Sequence, residues 1–273
     1  MTVAVTKNTR RQDKLLKRLN GRKLKLEGFN NLTKSLSFNI YDICYARSQE
    51  SQKDYLEYID EEYNSTKLNT IVKQVINIID ARLLHVTTQD YEPQGASVTA
   101  LICEGELSTC HVPPTSITGH LDKSHICVHT YPESNPATGI SSFRVDIDVS
   151  TCGMISPLSA LEYLISSFDS DVVLMDYRVR GFTRDSRGNK LFIDHEIGSI
   201  QDYIPEELLN DYLAYDINII NDNIFHTKMQ KKEIRLANYL FGDDEASLSK
   251  TERKKIRDKL RTEIQEVFEC HNF

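Results

Sequence analysis

The 273 residues allow one large domain or two small ones with a substantial core, and 40% hydrophobic with 27% charged residues is ordinary for a soluble globular protein. A net charge of −7 argues against nucleic acid as the main partner, and no run approaches the ~18 apolar residues that a membrane helix needs. Six cysteines lie scattered without a CxxC pair, and the start MTVAVTKNTRRQDKLLKRLN has no apolar signal core, so the reading is a cytoplasmic protein with reduced thiols and no structural zinc site.

Residues 1–25 read as a basic extension, in which Leu15, Leu16 and Leu19 form one apolar helix face. A transit peptide is the alternative, and Asp13 and the lack of serine speak against it. From Ser35 to Cys44 apolar and polar residues alternate, which predicts a half-buried strand. Between Gln52 and Ile79 the apolar spacing turns helical, with a break at Asn64-Ser65. Strands are predicted at Leu83 to Thr88 and Ala96 to Cys103 around a turn at Glu92 to Gly95. Two more follow, Ser124 to Tyr131 and Ser142 to Thr151.

Ser156-Pro157 predicts a capped helix start. Val172 to Arg180 and Lys190 to Ile193 read as a hairpin turning at Asp185 to Asn189, and from Pro205 the chain reads as mainly helical, ending in Thr251 to Phe268. Strand–helix–strand–strand thus occurs twice, suggesting two similar halves. Strands with one polar face predict an α+β sandwich, an antiparallel sheet with helices on one face. Two such sheets could pack polar face to polar face in a dimer, giving four layers, αββα.

The densest chemistry is HLDKSHICVHTYPES, His120 to Ser134. On a flat strand His125, Cys127 and His129 share a face, but alternate positions lie ~6.6 Å apart, wider than tetrahedral zinc ligands bunch. A serine hydrolase would use Asp122 or Glu133, yet no GxSxG turn surrounds Ser124. The bland reading is a strand with its histidines in solvent. A fourth reading has the Ser124 hydroxyl attack the carbonyl of Lys123, turning amide into ester. Loss of the serine α-proton then expels the acyl chain and leaves dehydroalanine, which hydrolyses to a pyruvoyl group, with His120, His125 and His129 all candidate bases.

That stretch is similar to the self-processing segment of bacterial, pyruvoyl-dependent S-adenosylmethionine decarboxylase proenzymes. GFNNLTKSLSFNIYDICYA (28–46), QDYEPQGASVT (89–99), VSTCGMISPL (149–158), DYRVRGFTRD (176–185), FIDHEI (192–197) and NIFHTKM (223–229) resemble the gamma-proteobacterial members. The resemblance implies one domain, 26–273, cut between Lys123 and Ser124 into a β chain, 1–123, and an α chain, 124–273. It implies a covalent pyruvoyl group from Ser124, His129 as processing base and Cys152 as proton donor. Tyr131 would stack on adenine and Glu133 would accept the ribose hydroxyls.

The product would be decarboxylated S-adenosylmethionine, the aminopropyl donor for spermidine. The pyruvoyl ketone would hold the substrate amine as a Schiff base and draw off the electron pair left by carbon dioxide, as pyridoxal phosphate does. Relatives also imply a dimer of αβ units or larger, and some use magnesium as an activator, for which Asp146 and Asp148 share a strand face.

Locally, Cys152 stands at a strand end before Gly153, where site residues are often held, although a free cysteine is usually a small buried hydrophobe. Arg178, Arg180, Arg184 and Arg187 read as a solvated hairpin face, and His195 and His226 show no partner in the sequence. Two other functions stay open: decarboxylation of arginine or ornithine on the same cofactor, or an inactive regulatory paralogue. One geometric conflict also stands. Five extended residues separate Ser124 from His129, ~17 Å, and odd spacing puts the two on opposite faces. A turn or bulge after Ser124 would have to bring them together; otherwise His125 or His120 is the better base.

Overall fold

The computed structural model describes residues 26–104 and 124–272. The basic extension and His120, Asp122 and Lys123 lie outside the described residues. The chain runs β1 (Leu26–Asn30), β2 (Thr33–Tyr45), α1 (Gln49–Glu62), α2 (Ser65–Ile78), β3 (Arg82–Asp90), β4 (Ala96–Cys103), β5 (Ser124–Ser134) and β6 (Ile140–Cys152). It continues with α3 (Leu161–Ser166), β7 (Val172–Arg180), β8 (Thr183–Asp185), β9 (Lys190–Leu191), α4 (Glu206–Leu209), β10 (Tyr212–Asp216), β11 (Ile224–Lys231) and α5 (Lys250–Glu269). Among the described residues eight strands form one sheet in the order β10-β11-β7-β2-β6-β5-β4-β3, and β1, β8 and β9 form a smaller one. The strand pairs are antiparallel throughout, the α+β architecture expected.

Alternation makes the central strands. Leu36, Phe38 and Ile40 of β2 and Val145, Ile147 and Val149 of β6 are buried on one face. There they meet Leu68, Ile71, Val72 and Val75 of α2, each side chain contributing about 1.5–3 kcal/mol when fully buried. The break between α1 and α2 falls at Asn64-Ser65, as the spacing predicts: the Asn64 carboxamide oxygen accepts from Lys67 N–H at 3.0 Å and caps the second helix.

Four expectations are corrected. β7 pairs with β2 and β11, while Lys190–Leu191 pairs with β8, so the hairpin is β8–β9 and β7 is a central strand. The chain after Pro205 is not mainly helical: β10 and β11 extend the sheet, with Phe225, Thr227 and Met229 alternating inward. Ser156 makes no side-chain cap, and a single 3₁₀ turn, Pro157–Ala160, precedes α3. Finally, helices cover both faces in part. Ile256, Leu260, Ile264 and Phe268, four residues apart along α5, pack on Ile43, Val172 and Leu174 from the side opposite α2. The polar face therefore stays open over β4 and β5, but the helix closes it beside β2 and β7 and over Ile140 at the start of β6. No helix among the described residues is long and apolar enough to cross a membrane.

One buried network braces the sheet at β2 and β7. Lys34, 1% exposed, pairs with Asp194 at 2.6 Å. Asp194 also bonds His195 Nδ1 (2.7 Å), and His195 Nε2 bonds the Tyr177 hydroxyl (3.3 Å). Burial alone would raise the Asp194 carboxyl, but the His195 hydrogen bond and the Lys34 ammonium outweigh it and hold the group down at about 2. A depressed carboxylate stabilises the fold above the unfolded value near 4, and that contribution disappears as pH falls through about 2. It amounts to about 2 kcal/mol. Asp194→Asn should therefore be less stable at pH 7 and should narrow its deficit between pH 4 and pH 2 in urea titrations. The difference between the two proteins isolates this carboxylate from Asp42 and Asp171. Burial raises those two, so their pH dependence has the opposite sign. A deficit constant with pH would contradict the assignment.

Candidate active site

β5 lies between β4 and β6, and its first residue is Ser124. Ser124 is 5% exposed and turned to the helix-covered face, as are Ile126 and Val128. Its hydroxyl oxygen accepts the Cys152 backbone N–H at 3.0 Å. The end of β6 is held in turn from β2: Thr33 faces Cys152 across the ladder, and Gly153 N–H donates to the Leu32 carbonyl at 3.2 Å. Cys152 itself is exposed, so its thiol is not the small buried hydrophobe of the bland reading. Ser124 and Cys152, 28 positions apart, thus share one corner of the sheet.

The other predicted residues run away from that corner. β5 pairs with β6 in unbroken register from His125↔Ser150 to Ser134↔Ser141, with no bulge and no turn. Alternation places His125, Cys127, His129, Tyr131 and Glu133 on the open polar face, opposite to the Ser124 side chain. One chain does not bring His129 to Ser124, which answers the geometric conflict: neither device that would join them is present.

Side chains on the open face are tied to one another. His129 Nδ1 and the Tyr91 hydroxyl are hydrogen-bonded at 3.0 Å. The His129 and Tyr131 rings lie 6.4 Å apart and nearly parallel, at 14°. Arg144 sits over the Tyr131 ring, 4.5 Å from its centroid, and donates to Asp146 at 2.7 Å. Tyr131 is 43% exposed, and Glu133 accepts the Ser142 hydroxyl at 2.8 Å.

His125, Cys127 and His129 do share a face, but among the described residues no three His, Cys, Asp or Glu side chains are grouped to hold a metal ion. Burial also pushes the Cys127 thiol up, away from the thiolate a metal would need. The pair read as magnesium ligands is engaged by protein donors: Asn39 and Arg144 on Asp146, the Ser37 hydroxyl on Asp148. His195 and His226 have partners that the sequence did not show, Asp194 with Tyr177 and Asp176 (2.8 Å). Arg178 and Arg180 are exposed, in keeping with a solvated face.

Sequence reasoning missed Tyr91, the hydrogen-bond partner of His129. Its only local signal is a place beside the turn before β4, whose Ser97 stands opposite His129.

A fold and corner of this kind define a class: an antiparallel α+β protein with a serine at a strand start held by the backbone of a cysteine. The family described as S-adenosylmethionine decarboxylase matches residues 56–181. A protein of Chromohalobacter salexigens named S-adenosylmethionine decarboxylase proenzyme is 58% identical over 91% of this chain and 98% of its own length. Proteins of the same name from Alkalilimnicola ehrlichii (55%, 92% and 96%) and Heliobacterium modesticaldum (54%, 92% and 97%) are also similar. The chain belongs to the S-adenosylmethionine decarboxylase proenzymes. The crystal structure of the adenosylmethionine decarboxylase from Aquifex aeolicus VF5 aligns at 13% identity and TM-score 0.32, over 62% of this chain and 100% of that one, too low a score to carry an argument.

Proposed function

We propose that the chain cleaves itself between Lys123 and Ser124 and then decarboxylates S-adenosylmethionine, in the cytoplasm, to the aminopropyl donor for spermidine. The observation that carries this reading is the Cys152 N–H held on the Ser124 hydroxyl at 3.0 Å, together with membership of the proenzyme family. The residues present fit a pyruvoyl group. Ser124 stands first on a rigid strand with a backbone donor at its oxygen, and an exposed thiol belongs to the same corner.

Ser124 Oγ attacks the Lys123 carbonyl carbon; the Lys123–Ser124 amide bond breaks as the ester forms, and its nitrogen stays with residue 124. Loss of the Ser124 α-proton to a base then releases the carboxylate of Lys123, which ends the β chain, 1–123, and leaves residue 124 as dehydroalanine; this tautomerises to an imine, water adds and ammonia leaves, giving the pyruvoyl group. The pyruvoyl group at the head of the α chain, 124–273, supplies an electron sink for the pair left by carbon dioxide. Cys152 delivers the proton to the product carbon, as a general acid. Tyr131 stacks on the adenine and Glu133 accepts the ribose hydroxyls. Both halves of the cut chain stay in one domain, because β4 and β5, on either side of the cut, are adjacent strands of one sheet.

The base is His129 of a second copy. Its ring stands on the open face, which a second sheet can cover over β4 and β5 where α5 does not, and within one chain it faces away from Ser124. This gives a dimer of αβ units in which each copy serves the other's serine. Mixing tests it. His129→Ala and Ser124→Ala chains, each uncut when made alone, should yield a cut His129→Ala chain when expressed together. If the pair stays uncut while His125→Ala alone also fails to process, the base is His125 in the same chain.

Substrate identity is tested by turnover of purified enzyme on S-adenosylmethionine, arginine and ornithine. Preference for either free amino acid would sink the nucleoside reading, and an uncut, inert chain would leave the regulatory paralogue.

A further inference from the structure

Glu104 is the first residue past β4, and Ile102 of that strand faces Ser124. Its carboxylate Oε1 accepts the Met154 backbone N–H at 2.7 Å. Met154 lies in the turn that leaves β6 through Cys152 and Gly153. β5 runs between β4 and β6, so this contact crosses directly in front of Ser124, joining the strands on either side of it. The fit is close. Gly153 has φ +66°, and a Cβ added there would collide with Glu104 Oε2. Glycine at 153 is thus required twice, by a left-handed backbone and by the carboxylate lying on it. Among the described residues Glu104 makes no other hydrogen bond in the structure.

We infer that Glu104 is a positioning residue for self-cleavage: it clamps the Cys152–Met154 turn across the head of β5, so that the Cys152 N–H stays on the Ser124 hydroxyl. The inference rests on the reading of Ser124 as the cleaving residue. Release of Met154 would free the backbone that orients Ser124 Oγ, and a misplacement near 1 Å is enough to slow such a step strongly. The role is that of a hydrogen-bond acceptor, not of a charge, and this separates it from a structural salt link or a base.

The experiment uses full-length chains made in a cell-free system, with cleavage followed on gels. Glu104→Ala should cleave on the order of tenfold more slowly than the wild type. Glu104→Gln, which keeps the acceptor oxygen, should cleave within about twofold of it. Gly153→Ala displaces the carboxylate and should be as slow as Glu104→Ala, with the double variant no slower than Gly153→Ala. Melting temperatures of the two Glu104 variants should stay close to the wild type. Wild-type cleavage in Glu104→Ala overturns the inference, and so does a Glu104→Gln chain as slow as the alanine variant. A wild-type chain that never cleaves refutes the reading of Ser124 instead. The clamp is then judged by amide hydrogen exchange at Met154 in the Ser124→Ala background. Exchange that is slow with Glu or Gln at 104 and faster with Ala supports it; equal exchange in all three overturns it.

Discussion

Ser124→Ala will stay a single chain of about 31.4 kDa and will show decarboxylase activity no higher than background. Alanine removes the attacking oxygen and with it the origin of the pyruvoyl group, so no side chain can substitute. The fold should survive. Ser124 is one small buried side chain, and its loss leaves only the Cys152 N–H without its partner, at a cost of about 1–3 kcal/mol. Circular dichroism and melting near the wild type would confirm that the defect is chemical. Turnover by the uncut variant would rule out a group made from Ser124.

Cys152→Ala should show a different defect. Its backbone N–H remains, so the hold on the Ser124 hydroxyl remains, and the chain should still be cut, though more slowly if the thiol assists nearby proton transfers. Once cut, it should bind S-adenosylmethionine and return the proton to the product carbon poorly. Loss of a general acid costs on the order of a hundredfold or more. Protonation at the wrong atom would leave alanine at the head of the α chain, a permanent mark readable by mass. Turnover near the wild-type rate, with no alanine, would assign the proton to another group.

Much of this architecture is legible because the decisive patterns are local. The period of two in SLSFNIYDIC and SFRVDIDVST marks β2 and β6, and Asn64 marks a helix start, since a capping side chain acts on residues three positions away. What failed was non-local. β10 and β11 were hidden in a polar stretch whose strand character comes from pairing with β7, and the placement of α5 on the second face depends on a stripe whose partners, Ile43 and Val172, are far away in the chain. The site divides the same way. The density of reactive side chains draws attention to Ser124, while the roles of His129 and Cys152 come from resemblance. Spacing did foretell that Ser124 and His129 face opposite ways, which the straight register of β5 bears out. Glu104 carried no local signal, because its meaning lies in a turn 50 residues away.

The most direct test of self-cleavage at Ser124 is the intact mass of the purified protein. The account predicts two fragments of roughly 14 and 17 kDa at ~115 Da per residue, with Lys123 ending the first. The second should begin at position 124, resist sequencing from its N-terminus, and be lighter by one ammonia than residues 124–273 as encoded. A single uncut chain in an active preparation, or a second fragment with an ordinary N-terminal serine, would contradict it.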